Sequence, residues 1–532
     1  GKQELSRSAA AQASMKKEWD RLRDKKVWDE SSVREWDEVA YEARIKGKEI
    51  QFGYLFGICV EKNHELPEGH PSRKFKGRVV FQGNRVVNQN WEAAVFQDLG
   101  NAPATMDAAR SADAYGCFPG NGSEIADAEQ AYIQAYLKGN DCWICLPEDQ
   151  WPPGWKGKYR RPVVRLTRAL YGHPDSGTFW EEHCDECVQK VGFKPVGPEW
   201  PSTYWHEDLK LFLVVYVDDF KLSGPKENLA KGWELLRKHL QIEDPKPSGH
   251  FLGCTVELDD IVLPNGTKAR RCVWNMEDFF KSCVERYLSV CEKGTRLKTV
   301  TTPFIPEDTK QGPAGAPKHD SKTFTECPYC KHTFDRNKEV TQEEIERAEK
   351  EIRKALDKEK ESDHPEGKLG RHAASVLMKI LYGARAARFD LLRAVCHLAC
   401  HITKWTSDCD KRLHRLLCYI NSTLHLRMQG WIGDTAENLG PHQYADADFA
   451  GCTQSQRSTS GMFLAIRGPN SFFPISGQSK RQSCVSHSTP EAELVAADWT
   501  MRTIGLPCLA LWHKLLPHMP PLVFHEDNQA MI

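Results

Sequence analysis

Long apolar runs, a large net charge and a disulfide framework are all missing from this chain of 532 residues. No stretch approaches the roughly 18 apolar residues that a membrane-spanning helix needs, and no signal peptide is visible at the start. We therefore expect no membrane partner. The net charge is −1 at pH 7, so any nucleic-acid binding must come from local basic clusters.

The 19 cysteines are scattered along the chain without the spacing of a disulfide scaffold. This pattern is typical of reduced thiols in an intracellular protein. One pair, Cys327 and Cys330, is followed by His332 and hints at zinc. A structural zinc site takes four ligands, and no second pair is evident, so free thiols in a linker are the favoured interpretation.

A chain of this length suggests roughly three or four domains. Its 40% hydrophobic and 27% charged residues are ordinary for a globular protein. The predicted secondary structure changes along the chain in this order: a helix-like stretch at 9–24, mixed strand and helix patterns over 52–302, a Pro- and Gly-containing interruption at 303–370 with a charged helix near 342–360, strongly helical sequence at 372–428, and a strand pattern from Gln443 onward. The candidate strands within 52–302 are 77–82, 142–146, 203–206, 211–217 and 251–257.

The run from Leu211 to Phe220 is the most informative part of the sequence. Its apolar residues predict a buried strand, and this strand ends in two adjacent carboxylates, Asp218 and Asp219. Leaving both unpaired in apolar surroundings costs several kcal/mol. A divalent metal held by oxygen ligands is the simplest compensation.

A third carboxylate, Asp127, ends another predicted strand, and the aromatic Tyr132 follows five residues later. Phosphoryl transfer by two metals needs carboxylates from separate strand ends, converging on ions about 3.5–4 Å apart. Asp127, Asp218 and Asp219 supply that number of ligands. We therefore predict a nucleotide-polymerising site with two Mg²⁺ (or Mn²⁺) ions.

Three further segments place carboxylates at a second site. Asp446 lies in a strand, and Asp527 follows another strand, with Asp448 as an expected solvated neighbour. Two glutamates compete for a position on the helix between them. Glu491 lies three residues after Ser488, as in a capping box, so Glu493 is the favoured ligand.

The order of these motifs resembles the pol region of copia-type LTR retrotransposons, over roughly residues 15–300 and 372–532. The motifs that carry the resemblance are Lys74–Val80, Asp127–Tyr132, Leu170–Gly172, Tyr216–Asp219 and Phe251–Gly253, followed by those around Asp446, Glu493 and Asp527. The resemblance implies an α/β (α+β) fold: a right-hand reverse transcriptase with fingers, palm and thumb, then a ribonuclease H-like domain truncated at its C-terminus. It implies an RNA-directed DNA polymerase.

The resemblance also implies roles for individual residues of the polymerase. Asp127 and Asp218 correspond to the main metal ligands, and Asp219 to a weaker third carboxylate. Tyr132 corresponds to a steric gate that rejects a 2′-hydroxyl and so selects deoxynucleoside triphosphates. The remaining substrate-binding positions are Lys76 and Arg78, which would hold the triphosphate, and Gly253, in the turn that grips the primer end.

At the second site, Asp446, Glu493 and Asp527 correspond to ligands for two-metal hydrolysis of RNA in an RNA–DNA hybrid. The family's fourth carboxylate lies downstream, whereas this chain ends at Ile532. We expect the second metal to bind weakly and this chain to degrade a hybrid poorly or not at all. With Gly1 at its start, the chain is expected to be a fragment of a longer polypeptide.

One position departs from the family pattern. The family has a glutamine in Leu-Tyr-Gly-x-x-Gln, and this chain has Asp175. An acid there would repel a triphosphate or bind metal. It keeps open the alternative of a degenerate or domesticated copy that binds nucleic acid without catalysis; a structural protein of the element's particle is a third possibility.

The expected partners are an RNA template, a DNA primer, RNA–DNA hybrid and deoxynucleoside triphosphates, in a cytoplasmic particle, the nucleus or both. The sequence leaves the oligomeric state open. The predicted segments are a helical lead-in (1–50), fingers and palm (51–302), a linker or insertion with a charged helix (303–371), a helical thumb or connection segment (372–435) and an incomplete ribonuclease H-like domain (436–532).

Overall fold

The computed structural model describes residues 8–62, 73–94, 96, 103–305, 324–326, 333–335, 346, 366–452 and 455–532. These residues form two compact units. The first contains the described residues up to 108 together with 122–247, and the second contains 109–121 and the described residues from 248 onward. No helix among the described residues is long and apolar enough to cross a membrane.

Helices in the described residues occur throughout the chain. In chain order they are α1 (Ala9–Asp24), α2 (Trp36–Lys46), α3 (Met106–Gly116), α4 (Ala131–Gln134), α5 (Ser176–Lys190), α6 (Lys226–Arg237), α7 (Glu277–Val290), α8 (Gly370–Ala387), α9 (Leu392–Ala399), α10 (Ser407–Ser422), α11 (Thr489–Thr500) and α12 (Leu506–Leu515). A single π-helical turn, Met501–Gly505, joins α11 to α12.

The strands of the first unit form two sheets. They are β1 (Trp28–Glu35), β2 (Ile50–Lys62), β3 (Lys74–Phe81), β4 (Val87–Asn88), β5 (Asn121–Asp127), β6 (Asp141–Cys145), β7 (Pro162–Leu166), β8 (Lys194–Pro195), β9 (Thr203–His206), β10 (Leu211–Tyr216), β11 (Asp219–Pro225) and β12 (Lys246–Pro247). One sheet has the order β1-β7-β6-β2-β3, with β4 beside β2, and the other has the order β12-β5-β11-β10-β9-β8.

The second of these sheets is held by a large apolar core. Strand β10 is buried along its length except at Tyr216, and α5 and α6 contribute Trp180 and Trp233 to the same cluster. Each tryptophan is 2% exposed. Burial of this much apolar surface stabilises the β10–β11 hairpin and fixes the position of the turn at its end.

Helix α1 packs across the β2–β3 hairpin through close contacts at two glycines. A Cβ atom at Gly77 would lie 2.8 Å from the Ser14 carbonyl oxygen, and one at Gly57 would lie 2.4 Å from the Met15 Cε atom. Ser14 Oγ donates to the Phe75 carbonyl oxygen (3.0 Å) and accepts from the Gly77 N–H (2.9 Å). The hairpin is therefore anchored to α1 by both shape and hydrogen bonds.

The second unit contains an eight-stranded sheet. Its strands, with a separate pair, are β13 (His250–Phe251), β14 (Cys254–Val262), β15 (Lys268–Asn275), β16 (Phe324–Glu326), β17 (Thr333–Asp335), β18 (Met428–Ile432), β19 (Gly440–Asp448), β20 (Thr459–Gly468), β21 (Ser471–Arg481) and β22 (Val523–His525). The sheet order is β13-β14-β15-β18-β21-β20-β19-β22, and β16 pairs only with β17. Neighbouring strands are antiparallel except β19 and β22, which are parallel.

The fold is mixed α and β with several sheets, as the sequence predicts. Helix α1 has the predicted limits, and the strands predicted at 142–146, 203–206 and 211–217 match β6, β9 and β10 within one residue. The strand predicted at 251–257 is interrupted at Leu252 and Gly253, whose positive φ values form the turn between β13 and β14. A turn at this place is what the family resemblance implies. Cys327, Cys330 and the predicted helix near 342–360, apart from residue 346, lie outside the described residues.

Candidate active sites

A tight turn at the end of β10 presents Asp218 and Asp219. Tyr216 pairs with Asp219 across the hairpin, which leaves Val217 and Asp218 as the two turn residues. Val217 has φ +57°, which a β-branched residue rarely adopts. Two hydrogen bonds hold this conformation: Trp180 Nε1 donates to the Val217 carbonyl oxygen (2.7 Å), and the Ala128 N–H donates to the Asp218 carbonyl oxygen (2.7 Å). Surrounding structure thus maintains a strained backbone at the turn.

Asp127 lies at the end of β5, which is the sheet neighbour of β11. Burial, followed by the charges of Asp218 and Asp127, raises the pKa of Asp219 to about 6. The three carboxylates are therefore near enough to repel one another, and a divalent cation would relieve that repulsion. Their carboxylate oxygens do not all lie within 4.8 Å of one another, a condition that the second site alone meets among the described residues.

An aromatic pair borders these carboxylates. The rings of Tyr132 and Tyr171 meet edge to face with centroids 4.7 Å apart, and the guanidinium of Arg78 lies 5.4 Å from the Tyr171 ring centroid. Burial and the charge of Asp218 contribute to raising the pKa of both tyrosines. Tyr132, Arg78 and the carboxylates are thereby joined in one site, with Tyr171 between them.

Lys76 and Arg78 are exposed on the same face of β3, two residues apart. Gly77 between them faces α1, so the anchoring of the hairpin described above also orients these two cations. Burial of the side-chain stem, then the charges of Lys62 and Arg78, lower the pKa of Lys76. Crowded cations of this kind favour a polyanionic ligand.

Asp175 begins α5, and its side chain makes no capping hydrogen bond to that helix. Its N–H donates to His173 Nδ1 (3.3 Å), and its carbonyl oxygen accepts from the Phe179 N–H (3.1 Å). Burial raises the pKa of Asp175. The other carboxylates are not among the causes of that shift, in contrast to Asp219.

Gly253 belongs to the second unit, in the two-residue turn between β13 and β14. Leu252 has φ +50° and Gly253 has φ +72°, the combination of a type I′ turn, which favours glycine. Tyr382 on α8 donates its hydroxyl to the Leu252 carbonyl oxygen (2.6 Å). A Cβ atom at Gly253 would meet nothing within 4 Å, so backbone conformation, and not crowding, requires glycine here.

A second set of carboxylates meets at the β19–β22 edge of the second unit. Asp446 on β19, Glu493 on α11 and Asp527 after β22 each present an oxygen within 4.8 Å of the other two. Parallel pairing of β19 with β22 brings the two aspartates together, and α11 packs on β19 through Ala492 and Ala496. The three residues are distant in sequence and come from three elements.

The start of α11 separates the two candidate glutamates. Ser488 Oγ accepts from the Glu491 N–H (3.3 Å), and Glu491 Oε2 accepts from the His487 N–H (2.7 Å), so Glu491 completes the predicted cap. Glu493 points inward, is 4% exposed and has no hydrogen-bond partner for Oε2 among the described residues. Burial, then Asp446 and Glu526, raise the pKa of Glu493 to about 7.

Asp448 is paired with other groups of the protein, whereas the sequence predicts a solvated side chain. Its carboxylate pairs with Arg393 of α9 (2.5 Å) and accepts from the Thr459 N–H (2.5 Å). This ion pair borders a cleft of about 500 Å³ that also contains Asp446 and Tyr444. Asp448 is therefore already neutralised by a side chain, whereas Asp446 is not: burial and the charges of Asp527 and Asp448 raise the pKa of Asp446.

Sequence analysis assigned no role to Trp180, Tyr171 or Glu526. Tyr171 lies inside the Leu170–Gly172 motif, and Glu526 directly precedes Asp527. Their positions in or beside recognised motifs could have identified both as site residues. No sequence motif points to Trp180, because its hydrogen bond to Val217 joins elements that are far apart in sequence.

Comparison with known proteins gives two transposon relatives. The chain is 23% identical over 419 residues to the retrovirus-related Pol polyprotein from transposon TNT 1-94 of Nicotiana tabacum, covering 77% of this chain and 26% of that protein. It is 31% identical over 141 residues to the retrovirus-related Pol polyprotein from transposon RE2 of Arabidopsis thaliana, covering 26% of this chain and 9% of that protein. The chain thus spans about a quarter of the first relative and less than a tenth of the second.

A third similarity is to the secreted RxLR effector protein 161 of Plasmopara viticola, at 33% identity over 122 residues, which cover 23% of this chain and 81% of that protein. No family model matches the chain. The similarity to the tobacco polyprotein extends over most of the sequence and agrees with the motif order noted above. The similarity to retrovirus-related Pol polyproteins of plant transposons fits the resemblance to copia-type Pol that the motifs carry.

Proposed function

We propose that this chain is the RNA-directed DNA polymerase of a copia-type retrotransposon, with an associated ribonuclease H-like domain. The observation that carries the proposal is the assembly of Asp127, the Asp218–Asp219 turn, Tyr132 and Arg78 in one site of the first unit. Each of these residue types has a use in nucleotide addition, and they come from β3, β5, α4 and the β10–β11 turn.

The donor set fits divalent cations. Asp127, Asp218 and Asp219 provide oxygen ligands of the kind that Mg²⁺ prefers. The raised pKa of Asp219 reflects burial first and the charges of the other two carboxylates second. When bound, two such ions would activate the primer 3′-hydroxyl and neutralise the triphosphate. Asp127 and Asp218 would hold them, with Asp219 in a weaker supporting position.

The remaining residues would bind and select the nucleotide. Arg78 and Lys76 would contact the triphosphate, because both are cationic and project from one face of β3. Tyr132, held against Tyr171, would lie beneath the sugar and reject a 2′-hydroxyl. Asp175, which burial drives toward the neutral form, is compatible with a nearby triphosphate only when protonated or turned away.

A right-hand polymerase is the proposed architecture, and each unit would supply part of it. In this proposal the sheet containing β2 and β3 is the fingers, and the sheet containing β5, β10 and β11 is the palm. Gly253 lies in the turn that would grip the primer, and α8, α9 and α10 correspond to the thumb or connection. RNA template, DNA primer and deoxynucleoside triphosphates are the proposed ligands, and a cytoplasmic particle or the nucleus is the proposed location.

The ribonuclease H-like assignment is supported by topology and by the three carboxylates. Three antiparallel strands, β19 to β21, are followed by α11 and then by β22, which pairs in parallel with β19. Asp446, Glu493 and Asp527 meet at that edge. Hydrolysis of the RNA strand of an RNA–DNA hybrid is the activity that this set of ligands fits.

Primer extension on an RNA template tests the polymerase proposal. The full chain is incubated with a labelled DNA primer, deoxynucleoside triphosphates and Mg²⁺, and compared with Asp218→Asn. Asp208→Asn is the matched control, because Asp208 is exposed at the opposite end of β10. We expect extension by the unaltered chain and the control only. Tight primer–template binding without extension by any of the three would support the non-catalytic alternative instead.

A further inference from the structure

The turn that carries Asp218 begins with a residue that its geometry disfavours. Val217 has φ +57°, whereas Asp218 does not have a positive φ, and this is the pattern of a type II′ turn. The first central position of such a turn ordinarily holds glycine. A β-branched residue there is strained, so contacts from outside the turn must maintain the conformation.

One of these contacts comes from a buried indole. Trp180 is 2% exposed, and its Nε1 donates to the Val217 carbonyl oxygen (2.7 Å). That carbonyl belongs to the planar peptide group that joins Val217 to Asp218, so the hydrogen bond fixes the direction in which Asp218 leaves the turn. An indole offers a single donor, and Trp180 commits it to this carbonyl.

Packing alone does not determine the conformation of the turn. Val217 packs against the apolar cluster of the β10–β11 sheet and is only partly buried there. A cavity of about 20 Å³ remains beside it, and Trp180, Tyr204 and Val215 contribute to its lining. This cavity has room for about one water molecule. The valine therefore leaves space behind the turn, and the hydrogen bond is the more specific restraint.

Trp180 is itself held in place by the start of α5. Ser176 Oγ donates to the Leu170 carbonyl oxygen (2.8 Å) and accepts from the Leu170 N–H (2.9 Å), and both residues are 2% exposed. Leu170 directly precedes Tyr171, whose ring lies against that of Tyr132. Helix α5 therefore ties the carboxylate turn to the aromatic pair of the same site.

We propose that Trp180 is a positioning residue of the polymerase site: through the Val217 carbonyl it holds the strained turn that presents Asp218 to a divalent cation. The inference rests on the proposed polymerase function and adds a residue that acts through the backbone, without touching metal or nucleotide. Without the indole N–H, Val217 can relax toward negative φ and turn Asp218 away from Asp127. Glycine at position 217 adopts positive φ without strain, so it should make the hydrogen bond largely dispensable.

A double-mutant cycle tests this role. Trp180→Phe, Val217→Gly and the double variant are compared with the unaltered chain in primer extension, and kcat and KM for deoxynucleoside triphosphate are measured separately. Trp233→Phe is the matched control. Trp233 is also 2% exposed and lies in the same apolar cluster, but its Nε1 donates to Glu124 (2.8 Å) and not to the turn. Urea unfolding measures the loss of stability in each variant.

We expect Trp180→Phe to lower kcat by about tenfold to a hundredfold with KM nearly unchanged, because misplacing a catalytic group by about 1 Å costs that much. Trp233→Phe should lose comparable stability and keep its kcat. In the Val217→Gly background, Trp180→Phe should have a much smaller effect on kcat. Equal losses in the two backgrounds, or an equal loss in Trp233→Phe, would overturn the role of Trp180.

The comparison within the Val217→Gly background also decides the matter if Trp180→Phe alone fails to fold. A double variant with a kcat close to that of Val217→Gly supports the positioning role. A double variant that is slower than Val217→Gly by about tenfold or more, the loss expected from a misplaced catalytic group, overturns it.

Binding of Mn²⁺ gives the same comparison without polymerase activity. Electron paramagnetic resonance follows the titration in full chains that carry Asp446→Asn, so that the second carboxylate site is disabled. Trp180→Phe should weaken the Mn²⁺ binding that depends on Asp218 by about tenfold or more, as loss of a residue that orients a metal ligand typically does. Adding Val217→Gly should restore it.

Unchanged Mn²⁺ affinity in Trp180→Phe, or the absence of any bound Mn²⁺ that Asp218→Asn removes, would overturn the proposal. Failure of the proposed function gives a different result. If no protein extends a primer while Trp180→Phe weakens Mn²⁺ binding and Val217→Gly restores it, the polymerase function is wrong and the positioning of Asp218 by Trp180 stands.

Discussion

At the scale of single residues, two carboxyl groups lie where ionisation is unfavourable. The pKa of Asp219 is raised to about 6 and that of Glu493 to about 7, and for both residues burial is the larger cause and neighbouring carboxylates the smaller. Charge repulsion of this kind lowers the stability of a protein without metal and increases its affinity for cations. Such groups cluster where function requires them.

Replacing Asp219 with asparagine should therefore stabilise the metal-free protein at neutral pH. A folded-state pKa above the ordinary 3.8 means that the folded state binds more protons between about pH 4 and pH 6, so stability falls as the pH rises through that window. We expect Asp219→Asn to be more stable than the parent by about 1–2 kcal/mol at pH 8 in EDTA, after allowance for solvent screening.

Thermal unfolding at pH 4 and pH 8 measures this difference. At pH 4 the difference should be much smaller, because the carboxyl group is protonated in the folded state and only about half ionised in the unfolded state. An equal shift at both pH values would show that the effect does not come from ionisation. Addition of Mg²⁺ at pH 8 should stabilise the parent more than the variant.

Tyr132 gives a second test at this scale. Tyr132→Ala should increase incorporation of ribonucleotides relative to deoxyribonucleotides by about tenfold or more, since removal of a close steric contact abolishes discrimination against one hydroxyl group. Tyr136→Ala is the control, because Tyr136 is 64% exposed and its ring stacks with Arg168, whose guanidinium lies 4.3 Å from the ring centroid. Unchanged sugar discrimination in Tyr132→Ala would remove Tyr132 from the nucleotide site.

Sequence singles out some candidate residues by their place in an element: Asp218 follows an apolar strand, and Glu493 lies close to a helix start. The contacts that these residues make in the folded protein were harder to predict. The hydrogen bond from Trp180 to Val217 and the ring contact between Tyr132 and Tyr171 join segments about 40 residues apart. Such contacts depend on tertiary packing, which local periodicity does not encode.

At the scale of elements, α1 supports the β2–β3 hairpin that carries Lys76 and Arg78. Ser14→Ala removes the donor to the Phe75 carbonyl and the acceptor for the Gly77 N–H, and should lower the free energy of unfolding by about 1–3 kcal/mol. It should also raise KM for the nucleotide more than it lowers kcat, because the cations next to Gly77 lose their fixed orientation. Urea unfolding and steady-state kinetics measure both.

Ser8→Ala is the control for this prediction, since Ser8 caps the same helix through the Ala11 N–H (3.3 Å) without touching the hairpin. It should reduce stability by about 1 kcal/mol and leave KM unchanged. Equal effects of the two substitutions on KM would show that α1 does not position the hairpin.

Periodicity predicted the limits of α1 and β9 because each has a single buried face or a continuous apolar run. It did not predict that β15 pairs with β18, or that β18 pairs with β21, so that these strands share one sheet with β14. The strands β15 and β18 are separated by about 150 residues, and pairing at that distance is set by packing of the whole unit. Periodicity gave no sign of the turn at Leu252 and Gly253, because nothing about Leu252 indicates a positive φ; the family resemblance alone implied a turn there.

At the scale of the whole molecule, the net charge of −1 conceals local charge of both signs. Carboxylates gather at two sites, and cations lie on β3. Affinity for an RNA–DNA primer–template should fall steeply with salt, with log K decreasing linearly against log salt concentration as phosphate contacts release counterions. Fluorescence anisotropy between about 50 and 200 mM KCl measures the slope.

Arg78→Ala separates nucleotide binding from template binding in the same assay. If Arg78 holds the triphosphate, the variant should keep the parent's salt slope for primer–template while its KM for deoxynucleoside triphosphate increases. If the slope of log K against log salt concentration instead becomes shallower by about one, with KM unchanged, Arg78 contacts the nucleic-acid backbone.

Extension of a DNA primer on an RNA template by the full chain in Mg²⁺ tests the central claim most directly. The account predicts extension by the unaltered chain and by Asp208→Asn, and loss of at least about a thousandfold in Asp218→Asn, since a metal ligand that acts in the transition state is removed. Circular dichroism should show that Asp218→Asn remains folded. Extension by Asp218→Asn at the rate of the unaltered chain would contradict the account.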